Sequence, residues 1–146
     1  MNNLYDTYAV IKEFAQDHNM INEFVYVKSE DELRDLEFDY RSMVIMPLEA
    51  NITRRLNNPI YTLDFGVVVL DKVSKGDDYE SVVSTEENIF VIGQLQDYLL
   101  QQNIDSDFET IDLYTAVGDD YNITSATADF SINIARKPYK GNIDND

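Results

Sequence analysis

The chain has 146 residues, with 28 acidic side chains against 11 basic ones, one histidine and no cysteine, for a formal charge of −17. That length fits one domain able to bury roughly two thirds of its unfolded surface. The missing thiols exclude disulfides, thiolate zinc sites and cysteine nucleophiles together and suit a reducing compartment or a cysteine-indifferent particle, while the charge argues against nucleic-acid binding by phosphate neutralisation, which needs clustered Lys and Arg.

Leu4, Tyr8, Ile11, Phe14 and Ala15 recur at helical spacing behind Asn2 and Asn3, which predicts an amphipathic helix over about 3–17. Phe24, Tyr26 and Lys28 alternate with Val25 and Val27 as a short strand. Ser29 and Glu32 form a possible capping box before Leu33 and Leu36. Residues 41–50 contain the run Met43-Val44-Ile45-Met46, interrupted by Pro47, which predicts a strand that ends, bulges or lies at an edge there.

Residues 51–59 have the polar, Asn-rich composition of a long hairpin loop, and the clearest strand follows over 61–73. Tyr61, Leu63, Phe65, Val67 and Val69 share one face; the other begins with Thr62, Asp64 and Gly66 but ends with Val68 and Leu70, so the strand should become covered on both sides. After a loop at Lys75-Gly76-Asp77-Asp78, Ser84 and Glu87 form a second capping box that predicts a helix over about 85–102, its broad apolar arc lying across a sheet. Two strands close the chain, over about 109–117 and 125–135, the second with Ala126, Ala128, Phe130, Ile132 and Ile134 in clean alternation. The expected fold is α+β: a mostly antiparallel sheet of four to five strands carrying an N-terminal helix and a long central helix. It forms a single domain over 1–135, and residues 136–146 form an extended arm. No apolar stretch approaches about 18 residues and no basic start leads into one, so a soluble protein is expected.

Charge is distributed unevenly along the chain. From Gly76 to Ala135 there are sixty residues without Lys or Arg and with thirteen Asp and Glu. The window also holds enough apolar residues to fold, so it predicts an acidic face on a folded surface, suited to attracting a basic partner or repelling polyanions. Solubility alone produces acid-rich surfaces too.

The chemical inventory is short. His18, at the end of the first helix, is expected to interact with the last carbonyls rather than act as a catalyst, because no second His or nucleophile has a recognisable spacing to it. Asp105, Asp107 and Glu109 alternate, but the glycine and closing glutamate of a calcium loop are missing, and a solvated loop is expected. Asp77-Asp78 and Asp119-Asp120 fall in turns, where Asp bonds to backbone. Five scattered glycines make no phosphate loop. No catalytic residue, metal or cofactor is expected. Arg54 and Arg55, placed by this reading at the tip of the hairpin loop, are candidates to grip carboxylates on another copy, against the alternative of an ordinary solvated loop. Arg136, Lys137, Tyr139 and Lys140 are candidates for a similar role, because residues 136–146 lack the apolar content to fold on their own domain.

The element order, with Val44-Ile45-Met46-Pro47, the run from Tyr61 through Asp71, the exit Asp71-Lys72-Val73 into an acidic loop and the helix from Glu87 to Leu100, resembles the tail-completion (tail-terminator) and head-to-tail ring proteins of tailed bacteriophages. It is nearest in look to those of phages of Bacteroidetes, including the crAss-like group, and the likeness covers nearly the whole chain. The resemblance implies a non-enzymatic structural protein of the virion tail or neck, made in the host cytoplasm. It would form a six-fold or twelve-fold ring that contacts other connector and tail proteins and surrounds a channel for genome DNA without binding it specifically. The alternative reading is a small intracellular binding module, an inhibitor or DNA mimic, whose acidic surface docks a basic partner.

Overall fold

The computed structural model describes residues 4–27, 39–55, 58–104 and 110–135, with side chains at all of these but 53–55, 58–60, 134 and 135. In chain order the elements are α1 (Leu4–Asp17), β1 (Glu23–Tyr26), β2 (Ser42–Arg55), β3 (Asn58–Ser74), α2 (Asp78–Gln101), β4 (Ile111–Val117) and β5 (Tyr121–Ala135). The strands form one sheet in the order β1-β2-β3-β5-β4, antiparallel throughout except that β1 runs parallel to β2. The α+β architecture expected from the sequence is therefore the one adopted.

Both helices lie on one face of the sheet. Ile11, Phe14 and Ala15 of α1 and Val91, Ile92, Leu95 and Leu99 of α2 meet Met43 and Ile45, Phe65, Val67 and Val69, and Ala126, Ala128, Phe130 and Ile132. Phe65 and Phe130 are register partners, and their rings stack with centroids 5.5 Å apart. A second, smaller cluster of Val27, Val44, Met46 and Val68, flanked by Val25 and Leu70, fills the opposite face near β1, so β3 is covered on both sides where its polar face turns apolar. Farther along that face β5 presents Ser131, whose hydroxyl donates to Asp64 at 2.5 Å.

Pro47, which cannot donate to a ladder, marks a bulge: the β2–β3 register shifts between Pro47 and Glu49. The extra residue, Leu48, is absorbed there, and Ala50 and Ile52 remain opposite Leu63 and Tyr61.

Three expectations need correction. Residues 51–59 do not form a long loop: β2 continues to Arg55, paired with Asn58, because a partner strand satisfies their backbone groups whatever their polar composition. The long helix begins at Asp78 rather than near Thr85. Asp77 is its N-cap, accepting from the Glu80 amide at 2.9 Å, while the Glu80 carboxylate accepts from the Ser74 amide at 3.0 Å. β5 begins at Tyr121, four residues early, because a tight turn through Asp119 and Asp120, closed by the Gly118 amide donating to the Tyr121 carbonyl at 3.1 Å, lets pairing start at once. The possible cap at Ser29 and Glu32 lies outside the described residues.

Candidate functional site

Among the described residues, a closed polar junction lies on the β1–β2 side of the sheet and an open margin at β4, and a third place, an apolar groove of about 510 Å³ between α1 and β1, is lined by Leu4, Tyr5, Tyr8 and Tyr26.

The junction is centred on Arg41, which immediately precedes β2 and is only 7% exposed. Its Nε donates to Asn88 Oδ1 at 2.8 Å, one terminal nitrogen to Asp71 Oδ2 at 3.0 Å and the other to Glu87 Oε2 at 3.4 Å. Ser84 donates to the same Asp71 oxygen at 2.7 Å and shares a 2.6 Å hydrogen bond with Thr124, to which Asn88 also donates at 3.0 Å. The backbone closes the junction further: the Asn22 amide donates to the Arg41 carbonyl at 2.8 Å, and the Asp39 amide to Glu23 Oε1 at 3.0 Å. A buried guanidinium is tolerated when its fork is filled by carboxylates and amide oxygens, and here the fork ties α2 to β2, β3 and β5. Its groups bond mainly to one another, so the junction orients α2.

Sequence reasoning missed this junction, although a signal existed. Arg41 and Asp71 each border an apolar run, one step beyond the register pair Ser42 and Leu70. Ser84, read as a cap, is instead the first residue of the buried stripe of α2, followed by Asn88, Val91, Ile92, Leu95 and Leu99.

The open margin is β4. Ile111, Leu113, Thr115 and Val117 pair with Ala128, Ala126, Thr124 and Asn122, which places them on the helix side of the sheet. Yet Leu113 is 51% and Val117 74% exposed, because α2 crosses over β3 and β5 and stops short of the edge. Tyr114, on the opposite face, is 70% exposed. Between β4 and the first half of α2 lies a shallow groove of about 400 Å³ lined by Ser81, Val82, Thr85, Glu86, Ile89 and Thr115. Tyr79, Val82 and Phe90 add exposed apolar surface along α2, and the nearby charges of α2, β4 and β5 are all carboxylates.

The remaining sequence candidates are dispersed. Arg54 and Arg55 do not sit at the tip of a long loop; they are the last two residues of β2, paired with Pro59 and Asn58. His18 does not reach the last carbonyls of α1. Its Nδ1 accepts from the Met20 amide at 3.1 Å, so Nε2 carries the proton and donates to Gln94 Oε1 of α2 at 2.6 Å. Asp119 and Asp120 lie in the β4–β5 turn, where the Asp119 carbonyl accepts from Lys75 Nζ at 3.4 Å and Lys72 stands 4.2 Å over the Tyr121 ring. Arg136, Lys137, Tyr139 and Lys140, and the trio Asp105, Asp107 and Glu109, lie outside the described residues. Among the described residues, no group of three or more His, Asp or Glu is arranged to hold a metal.

No protein-family model matches the chain, and no characterised protein matches it in sequence.

Proposed function

We propose that this protein is a structural subunit of a closed homo-oligomeric ring in a tailed-phage particle, at the head-to-tail connector or the tail end, where it surrounds the DNA channel and performs no catalysis. One observation carries the reading: the charge of the fold is bipolar. At one end of β3, Arg54 pairs with Pro59 and Ile60 with Ala135, so Arg54 and Arg55 lie where the chain leaves β5 toward Arg136 and Lys137. At the other end, Ser74 pairs with Tyr121, beside the Asp119-Asp120 turn and the start of α2, where Asp77, Asp78, Glu80, Asp119 and Asp120 outnumber Lys72 and Lys75 by five to two.

Ser74 lies fifteen residue steps along β3 from Pro59, roughly 50 Å at the rise of a strand. Salt screens charges beyond about 10 Å, so the two ends cannot neutralise each other within one protomer. Contact between the basic end of one copy and the acidic end of the next is heterologous, and a heterologous contact closes into a ring when its rotation allows. An acidic wall without phosphate-binding residues also suits a channel through which DNA slides. The exposed Val82, Phe90, Leu113 and Val117 suit contact with an apolar protein surface beside the charged one.

Electron microscopy of the purified protein tests the proposal. Closed rings of the native chain are expected, and reversal of both Arg54→Glu and Arg55→Glu should leave the subunit folded and abolish them. Rings forming normally with the double reversal would overturn the polar contact as their basis.

A further inference from the structure

The described strands leave four stretches of sheet edge unpaired, the outer side of β1, β2 beyond Ile45, β5 beyond Ala128 and the outer side of β4, and those of β2 and β4 differ in how they are protected. β1 pairs only with Ser42 to Ile45, leaving the rest of β2 as a free edge, but that edge carries Pro47, a bulge, Arg54 and Arg55. Proline, bulges and charge are the devices that prevent an edge from accepting another strand. β4 has none of the first two and little of the third. Its seven residues, Ile-Asp-Leu-Tyr-Thr-Ala-Val, contain no proline, no bulge and one charge, and six of the seven side chains are exposed. Such an edge is a template for a further strand.

We infer that β4 is completed by the carboxy-terminal segment of a second copy of this chain, Tyr139 to Ile143, added as a sixth strand. The inference rests on the ring reading for its biological setting and on three independent features for its chemistry.

The first is the side-chain pattern. In an added strand Tyr139, Gly141 and Ile143 share one face, which sets two large apolar side chains across from Leu113 and Val117 and Gly141 across from Thr115 on the helix side of β4. Lys140 then falls on the opposite face, with Asp112 and Tyr114.

The second is charge. Arg136, Lys137 and Lys140 are three of the eleven basic residues, and the surface built by α2, β4 and β5 contains none.

The third feature is reach, which decides between a chain's own segment and a neighbour's. Leu113 lies opposite Ala126, nine residues before Ala135 and so roughly 30 Å along β5 from it. Val117 lies opposite Asn122, thirteen residues and roughly 43 Å away. Tyr139 is four residues beyond Ala135 and extends at most about 14 Å from it; Ile143 extends at most about 28 Å. Neither end of the segment reaches its own site, in either strand direction, so the occupant comes from another molecule.

A cysteine-free chain makes the test direct. Tyr139→Cys protein is mixed with Leu113→Cys or with Val117→Cys protein and oxidised. All three melting temperatures are checked against the native chain, and linked peptides are identified by mass spectrometry. One of the two mixtures, set by strand direction, should give a disulfide through position 139 whose yield rises with protein concentration. Ala116→Cys, one residue away on the opposite face, should link at least about tenfold less. Deleting residues 136–146 from the Leu113→Cys or Val117→Cys chain leaves its β4 edge intact, so that chain should still accept the link from full-length Tyr139→Cys protein. No link in either mixture, equal linking at position 116, or a link within one chain that is independent of concentration would each overturn the inference. Electron microscopy separates it from the ring reading: linked open chains uphold the docking and sink the ring, whereas closed rings without the link do the reverse.

Discussion

The two margins of the sheet are built from similar residues and treated in opposite ways. At the β1–β2 margin, Arg41 reaches α2 and β3 at once, the backbone of Asn22 and Arg41 is joined, and Val27, Val44, Met46 and Val68 cover the outer face. At the β4 margin, the apolar side chains of Leu113 and Val117 point to the helix side, and among the described residues no helix lies above them. The difference teaches that exposure at β4 does not reflect a shortage of apolar residues. The helix that could cover it is fixed elsewhere, over β3 and β5, by Ser84 and Asn88 on Thr124 and by Glu87 and Asn88 on Arg41.

Opening the closed margin should have the largest effect. Arg41→Ala strands Asp71 and the buried Asn88 without their cation, and removing one partner of a buried pair costs about 3–5 kcal/mol. Asp71 and Glu87 keep some access to water, which puts the loss at the lower end, about 3 kcal/mol, or about 10 °C in melting temperature for a chain of this size. Thermal unfolding followed by circular dichroism checks it; a loss under about 1 kcal/mol would mean that the junction contributes orientation without stability.

A smaller loss is expected where the open margin turns back. A Cβ at Gly118 would stand 2.5 Å from the Tyr121 carbonyl oxygen, the acceptor that closes the β4–β5 turn. Gly118→Ala should destabilise the subunit by about 1–3 kcal/mol, in the range of an overpacked site. It should also speed amide exchange in β4 more than in β2 and β3, measured by hydrogen exchange. Uniform exchange across the sheet would show that β4 does not open separately.

The smallest effect on the isolated subunit sharpens the comparison most. Thr115→Lys places a charge in the middle of the unprotected edge, on a surface strand, and should change stability by no more than about 0.5 kcal/mol. The same change gives β4 the protection that β2 already has and should block assembly. Sedimentation velocity of the variant at the concentration where the native chain assembles measures this; unchanged assembly would remove β4 from the contact.

Much of the fold was legible in the sequence because its signals are local. The spacing of Ile11, Phe14 and Ala15 identifies α1, the alternation from Ala126 to Ile132 identifies β5, and Val68 with Leu70 announces a strand covered on both sides. Pro47 marks the bulge in β2 because a missing amide is a property of the residue itself. Where the reading failed, a nonlocal partner overrode a local preference. The polar stretch from Asn51 to Arg55 looks like a loop until β3 supplies its hydrogen bonds, and Ser84 looks like a cap until Thr124 and Asp71 meet it inside a helix.

The acidic composition, the absence of any cysteine and the segregation of basic residues to the two flanks of a sixty-residue window follow from the sequence alone. Tertiary structure decided where those charges stand: register along β3 carries Arg54 and Arg55 to one end and Asp119 and Asp120 to the other. It also decided that Arg41 is buried while Leu113 is not, because burial depends on which element lies overhead. That placement is set by the packing of α2 on the whole sheet, and no stretch of chain encodes it by itself.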